Sequence, residues 1–255
     1  MKKVTAFIGS ARRKATYYAV QEFEKNLKRH DEIDFEYVFL SDYNLNFCKG
    51  CCQCFDKGEV FCPLKDDRDL LLKKMEFSDG VIFASPSYAY QISARMKNLL
   101  DRFAFLFHRP RFFGKAFTAI VTQGVPVGDS IRKYLEDSGS NLGFEVTKGC
   151  CIWTRDPMSE SQRNKLAQKI KKCAEQFYQN LLRNTRPAPS FFRLMLFRTT
   201  RSGLQCSDAN YYDYTYYKEK GWFKSDYYYE TPLGPLKKLA GHFFDFIGQR
   251  IGKSL

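Results

Sequence analysis

The chain has 255 residues, 41 Lys+Arg against 28 Asp+Glu for a formal net charge of +13, three histidines and nine cysteines. This length accommodates one large domain, or an average one with an appendage, and buries a core without disulfides or a structural metal. With 44% hydrophobic and 27% charged residues a disordered or fibrous chain is excluded, and no apolar run approaches the roughly 18–20 residues that span a bilayer.

From Met1-Lys2-Lys3 the chain enters a buried strand over Val4 to Ile8, bounded by Gly9-Ser10. That stretch is too short for a signal-peptide core, so a cytoplasmic address is expected. Thr16 to His30 carries Tyr17, Val20, Phe23 and Leu27 at helical spacing. Phe35 to Leu40 reads as a second strand. Asp66 to Met75 reads as a helix with acids at its start, where they favour exposed N–H groups. Gly80 to Ala84 is a third strand, followed by Ser85-Pro86-Ser87; Ser93 to Phe105 is helical. Ala116 to Thr122 is a fourth strand ending at Gln123-Gly124, and Asp129 to Leu135 is helical. Phe144 to Val146, extended towards Trp153, is a fifth strand, and Ser159 to Leu182 a long amphipathic helix. Strict alternation of short apolar strands with helices predicts an α/β fold, a doubly wound five-stranded parallel sheet covered on both faces.

Arg186-Pro187-Ala188-Pro189 ends that pattern. Two regions are expected: a domain over 1–183 and an aromatic, basic C-terminal extension over 184–255 that serves as an oligomer contact or a lid. Within the extension, Leu236 to Ile251 reads as a basic amphipathic helix. Such a helix lies in a membrane interface or covers its own or a neighbouring subunit; cover of its own or a neighbouring subunit is the expectation, and the chain is expected to form a homo-oligomer, a dimer or tetramer. The tyrosine-rich stretch from Tyr211 to Tyr229 matches no nucleic-acid module, so no nucleic-acid partner is assigned.

In an open parallel sheet, ligands sit beyond the carboxyl ends of the strands. The first such turn, Gly9-Ser10-Ala11-Arg12-Arg13-Lys14-Ala15-Thr16, lacks the glycine spacing of a dinucleotide loop and the Gly-Lys-Ser/Thr of a triphosphate loop. It offers hydroxyls, cations and a helix start, a set suited to a phosphomonoester dianion. Ser85-Pro86-Ser87-Tyr88-Ala89-Tyr90 and Thr122-Gln123-Gly124-Val125 open on the same edge. Tyr88 and Tyr90 suit a flat aromatic ligand, and Gly124 admits close approach of the backbone. Between the second strand and the next helix, Cys48-x2-Cys51-x2-Cys54-x7-Cys62, with Cys52 as an extra thiol, concentrates five of the nine cysteines. Spacings of two let thiolates converge on one centre, as iron–sulfur clusters and zinc both require. Reduced structural thiols are the plainer reading.

Together these residues resemble the flavodoxin-like NAD(P)H-dependent FMN reductases, including the iron–sulfur flavoproteins. The resemblance rests on Gly9-Ser10-x-Arg12, the cysteine block, Asp66-Asp67, Ser85-Pro86-x-Tyr88 and Ser93-x-x-x-Lys97-x-x-x-Asp101-Arg102, and covers roughly residues 1 to 180. It implies that Ser10, Arg12 and Thr16 hold the FMN phosphate. Ser85, Pro86, Ser87, Tyr88 and Tyr90 with Thr122, Gln123 and Gly124 would hold the ring. It also implies that Cys48, Cys51, Cys54 and Cys62 bind a 4Fe–4S cluster. The sequence departs from the family pattern at Lys14-Ala15-Thr16, where a Gly or Asn usually precedes the last hydroxyl residue. The function implied is an FMN-dependent oxidoreductase that accepts hydride from NAD(P)H and passes electrons to a quinone, a nitro compound, another small acceptor or a protein. The alternative is an FMN/4Fe–4S carrier relaying electrons between protein partners; a membrane-surface protein led by the tail is a third class. Because the flavin carries the chemistry, no catalytic side chain is nominated.

Overall fold

The computed structural model describes residues 1–125, 128–154, 157–206 and 211–254. Contacts divide these into two compact units, Met1–Lys49 with Leu64–Asn184, and Gly50–Pro63 with Thr185–Leu255. Among the described residues no helix is long and apolar enough to cross a membrane.

The first unit is a sheet with helices on both faces. Strands β1 (Lys2–Ile8), β2 (Ile33–Phe39), β3 (Gly80–Tyr88), β5 (Ala116–Gln123) and β6 (Glu145–Val146) lie in the order β2-β1-β3-β5-β6, all parallel. A short β4 (Gln91–Ile92) returns antiparallel on β3, and β7 (Cys150–Trp153) continues the edge beside β5. The two ends of the fifth expected strand are thus separate. The register explains the break: Val146 lies opposite Phe117, whereas Cys150 lies opposite Ile120, one residue further on. The extra residue is absorbed at 147–149, as in a β-bulge. Gly149 passes so close to Ala119 that an added Cβ would sit 2.0 Å from its carbonyl oxygen.

Alternation along the strands decides what each face buries. Ala6, Ile8, Ile82, Ala84 and Ile120 form one cluster with Ala19, Val20 and Phe23 of α1 (Ala15–Leu27) and Ile170, Ala174 and Phe177 of α7 (Glu160–Leu181). Phe23 meets Phe177 edge-on at 5.5 Å. On the opposite face Phe7, Phe83, Phe117 and Phe144 form an aromatic row with centroids 5.9, 4.9 and 5.3 Å apart. All four are fully buried, each worth about 1.5–3 kcal/mol of transfer free energy. Helix α6 (Gly128–Asn141) sets Gly139 against the Phe117 ring. The remaining helices of this unit are α3 (Arg68–Glu76), α4 (Ala94–Arg102) and α5 (Phe105–His108). The α7 start is fixed by Ser159 and Gln162 in a capping box.

The second unit is helical: α2 (Gln53–Asp56), α8 (Phe191–Leu204), α9 (Tyr212–Glu219) and α10 (Pro235–Ser254). Its core is the tyrosine-rich stretch. Tyr217, Trp222, Tyr227 and Tyr229 are buried, with Phe197 against both Tyr227 and Tyr228. Trp222 Nε1 donates to the Tyr228 carbonyl at 3.1 Å. The cysteine segment Gly50–Pro63 belongs to this unit, and the Tyr212 ring lies against Gly58.

Candidate functional site

Carboxyl ends of β1, β3 and β5 converge at one end of the first unit. Ser10 at the β1 turn is nearly buried; its Oγ donates to the Arg12 carbonyl at 3.0 Å and accepts from the Arg12 N–H at 3.2 Å. This side-chain turn fixes the loop that leads into α1. Thr16 and Thr122, both buried, share a hydroxyl–hydroxyl hydrogen bond of 2.7 Å that ties the start of α1 to the end of β5. That bond consumes one of the pair's two hydroxyl hydrogens, which leaves the other to donate elsewhere. The α1 N-cap, Lys14, makes no side-chain capping bond, and the first turn carries no acid, so the positive end of the helix dipole is not neutralised there. Arg13 is turned away, its guanidinium 4.7 Å over the Phe39 ring and 3.9 Å from Asp42.

A cavity of about 190 Å³ opens at this point, lined by Lys14, Ala15 and Thr154 as well as expected residues. Of the eleven cofactor candidates, Ser10, Arg12, Thr16, Pro86, Ser87, Tyr88, Thr122, Gln123 and Gly124 line it. Ser85 and Tyr90 do not. The sequence places Ser85 in a loop after β3, but the strand continues to Tyr88 because 85 and 86 still pair with Val121 and Thr122 of β5. Ser85 is therefore buried, its Oγ donating to the Pro86 carbonyl at 2.9 Å and accepting from the Ser93 N–H at 3.0 Å. Tyr90 stands exposed at the tip of the β3–β4 hairpin. Its two loop residues, Ala89 and Tyr90, have φ of 47° and 62°, left-handed values that cost a non-glycine residue about 1–2 kcal/mol each. The strained tip presents Tyr88 beside the cavity.

Thr154 carries no motif of its own. It is reached because β7 runs beside β5: its N–H donates to the Gln123 carbonyl at 2.9 Å, and Trp153 Nε1 to the Gly124 carbonyl at 2.8 Å. An added Cβ at Gly124 would meet no atom of the described residues within 4 Å, whereas one at Gly9 would lie 2.4 Å from Ser93 Oγ. Gly9 is thus required by packing, and Gly124 leaves a bare backbone edge on the cavity. A second cavity of about 480 Å³ shares Arg12 and Tyr88, and is also lined by Tyr43, Leu45, Phe47, Arg95 and Asn98. His108 lines neither cavity.

Asp66 and Arg102, quoted in the sequence as separate motifs, meet. Both side chains are buried, and Arg102 donates through both terminal nitrogens to the Asp66 carboxylate and through Nη1 to the Asn46 carbonyl at 2.8 Å. Asp67 accepts from the Asn44 N–H at 2.7 Å. Burial raises the Asp66 pKa, but Arg102 and the N–H groups of Asn46 and Arg68 outweigh it and hold the carboxyl below its ordinary range. The expected helix start at Asp66 is therefore a clamp, and α3 begins only at Arg68. It joins the two ends of the chain segment that bears the cysteines.

Within that segment Cys48, Cys51 and Cys52 are exposed, and Cys54 on α2 and Cys62 are half-buried. Among the described residues no three His, Cys, Asp or Glu side chains stand together as a metal site. Elsewhere Cys150 and Cys151 have raised pKa values. Hydrogen bonding to Cys173 and then burial act on Cys150; burial and then Asp129 bring Cys151 to about 11. Both stay protonated near neutral pH and pack as small apolar side chains.

Comparison with known proteins shows the family and the fold. The profile of the NADPH-dependent FMN reductases matches residues 2–153. An iron-sulfur flavoprotein of Archaeoglobus fulgidus is 33% identical over 159 residues, 58% of this chain and 70% of its own. An iron-sulfur flavoprotein of Methanocaldococcus jannaschii is 36% identical over 128 residues, and this chain spans 63% of its length. In fold, the NAD(P)H:quinone oxidoreductase from Methanothermobacter marburgensis aligns with TM-score 0.56 at 15% identity, over 72% of this chain and 99% of that one. RosB with a bound 8-demethyl-8-formylriboflavin-5'-phosphate intermediate aligns over 92% of both chains with TM-score 0.55 at 11% identity.

Proposed function

The chain belongs to the NAD(P)H-dependent FMN reductase / iron–sulfur flavoprotein family and is an FMN oxidoreductase; from that premise we propose that it accepts hydride from NAD(P)H and delivers electrons to a quinone, a nitro compound, another small acceptor or a protein. Bound FMN supplies the hydride and electron chemistry. The observation that carries the reading is a single cavity lined by the cations Arg12 and Lys14, the hydroxyls of Ser10, Thr16 and Thr122, and Pro86, Tyr88 and Gly124. Arg12, Lys14 and Ser10 bind the phosphate, with the Thr16–Thr122 pair as a further hydroxyl donor. Pro86, Ser87, Tyr88, Thr122, Gln123 and Gly124 orient the ring, while Ser85 braces the hairpin and Tyr90 marks its tip. At about 190 Å³ the cavity is below the ~300–1,000 Å³ that encloses a drug-sized ligand. These residues would hold FMN by its phosphate and ring, and the adjoining cavity, which shares Arg12 and Tyr88, would admit the reductant and the acceptor. The cytoplasmic location expected from the sequence goes with this reading. An absorption titration of apoprotein with FMN, followed by anaerobic addition of NADH or NADPH, tests it. Colourless protein that takes up no FMN overturns it.

A second reading rests on the names of the two relatives: a 4Fe–4S cluster at Cys48, Cys51, Cys54 and Cys62 that makes the chain an electron carrier between proteins. Iron and acid-labile sulfide in anaerobically prepared protein decide it, and absence of both alongside NAD(P)H oxidation removes it.

A further inference from the structure

Helix α10 buries one side and exposes another. Gly241, Gly248 and Gly252 face α8: a Cβ on Gly248 would lie 2.4 Å from the Thr199 carbonyl oxygen, and one on Gly252 2.4 Å from that of Gly203. Asp245, the only acid of α10, turns the same way, accepting from Ser202 Oγ at 2.7 Å and pairing with Arg198 and Arg201. At 100° per residue, Leu236, Leu239, Phe243 and Phe246 then share a stripe on the side opposite the glycines. They are 76%, 70%, 61% and 52% exposed. The start of α8 adds exposed Phe191 and Phe192.

Charge selects what covers this stripe. The remaining ionised groups of α10 are all cations, Lys237 and Lys238 in its first turn and Arg250 and Lys253 near its end. Lys237 lies over the Phe191 ring at 5.8 Å and Arg250 over Phe246 at 4.7 Å, so both run along apolar surface to its rim. A second copy docked through the stripe would set cations against cations, whether the two helices ran parallel or antiparallel, because both ends are basic. The apolar residues also stand on a convex helix surface, whereas anchors of protein interfaces sit in packed pockets. An anionic bilayer accepts such a ridge, with flanking cations at headgroup level.

We propose that the face of α10 built from Leu236, Leu239, Phe243 and Phe246, with its terminal cations, docks the protein peripherally on anionic lipid membranes. The helix lies in the interfacial plane along its length, about 30 Å for 20 residues. This inference is independent of the flavin reading.

Co-sedimentation of the full chain with vesicles of phosphatidylcholine containing phosphatidylglycerol, and with phosphatidylcholine alone, tests it. The expected result is binding to the anionic vesicles, weakened by salt, with an about fivefold loss of partitioning for each of Lys237, Lys238, Arg250 and Lys253 changed to Gln. Leu239→Glu with Phe243→Glu should abolish binding while leaving FMN uptake and near-UV circular dichroism unchanged. Because these side chains are exposed, the variants retain the fold. No binding to anionic vesicles overturns the proposal, as does binding that survives both substitutions. A dimer seen by light scattering that the same variant dissolves, without vesicle binding, overturns it in favour of a second copy.

Discussion

The two units stabilise aromatic cores by different means. In the first, a parallel sheet carries the backbone pairing, and most of its core is apolar: a phenylalanine row on one face and a mainly aliphatic cluster with Phe23 and Phe177 on the other. Among its buried charged groups, Asp66 is matched by Arg102. The second has no sheet and only a few helices, and its core is built from Tyr and Trp whose polar tips find partners inside it. Its helices α8 and α10 are joined by Asp245 between two buried arginines. A sheet fixes geometry through its ladder, so its side chains need only fill space. A small helical unit relies on directional side-chain bonds to select one packing.

The largest effect expected from this contrast is at Asp245. Asp245→Asn leaves Arg198 and Arg201 without their shared carboxylate and should destabilise the second unit by about 3–5 kcal/mol, read as loss of the near-UV Tyr/Trp signal in urea before FMN is released. Simultaneous loss of both signals would mean that the units unfold as one.

Titration separates them next. Burial pushes the Tyr228 hydroxyl up to about 12. A raised pKa of this kind gives stability that is complete below the unfolded value near 10 and is lost as pH rises through about 12, on the order of 2–3 kcal/mol. Asp66, held below its ordinary range, acts in the opposite direction. Its contribution is present above the unfolded carboxylate value and is lost as pH falls through the lower folded one. Melting followed by tyrosine absorbance and by flavin signal should show the second unit failing first in alkali and the clamp of the first failing in acid.

Within the first unit, Arg12→Ala should weaken FMN binding by about 1.5–3 kcal/mol, roughly tenfold to a hundredfold, through loss of a charge-assisted contact, as measured by fluorescence titration. Gly9→Ala forces a Cβ to within 2.4 Å of Ser93 Oγ and should cost about 1–3 kcal/mol in thermal unfolding. Gly124→Ala meets no atom of the described residues within 4 Å and should change stability by less than about 0.5 kcal/mol while lowering FMN affinity, a split that packing alone does not produce.

Much of the site was legible in the sequence because its residues follow strand ends directly. Gly9-Ser10-x-Arg12, Pro86-Ser87-Tyr88 and Thr122-Gln123-Gly124 sit where alternation ends each strand, and parallel pairing puts strand ends of one polarity on one edge. Ser85 and Tyr90, both nominated from the sequence, do not line the cavity, because a strand's end depends on what its neighbour still offers to pair with, and β3 pairs with β5 as far as Pro86 with Thr122 before turning into its hairpin. Thr154 escaped because its place depends on β7 re-entering the sheet after a one-residue slip. The Asp66–Arg102 clamp was visible as two motifs 36 positions apart, with nothing local to say that they touch.

The sequence by itself determined the α/β class, the loops that line the cavity and the amphipathic character of α10, since hydrophobic period, turn chemistry and charge are properties of neighbouring residues. Only tertiary structure decided that the cysteine segment packs with the C-terminal extension, that the tyrosines form that unit's core, and which stripe of α10 is left uncovered. Each of these depends on contacts between residues far apart in the chain, where several pairings satisfy the same local pattern and packing selects one.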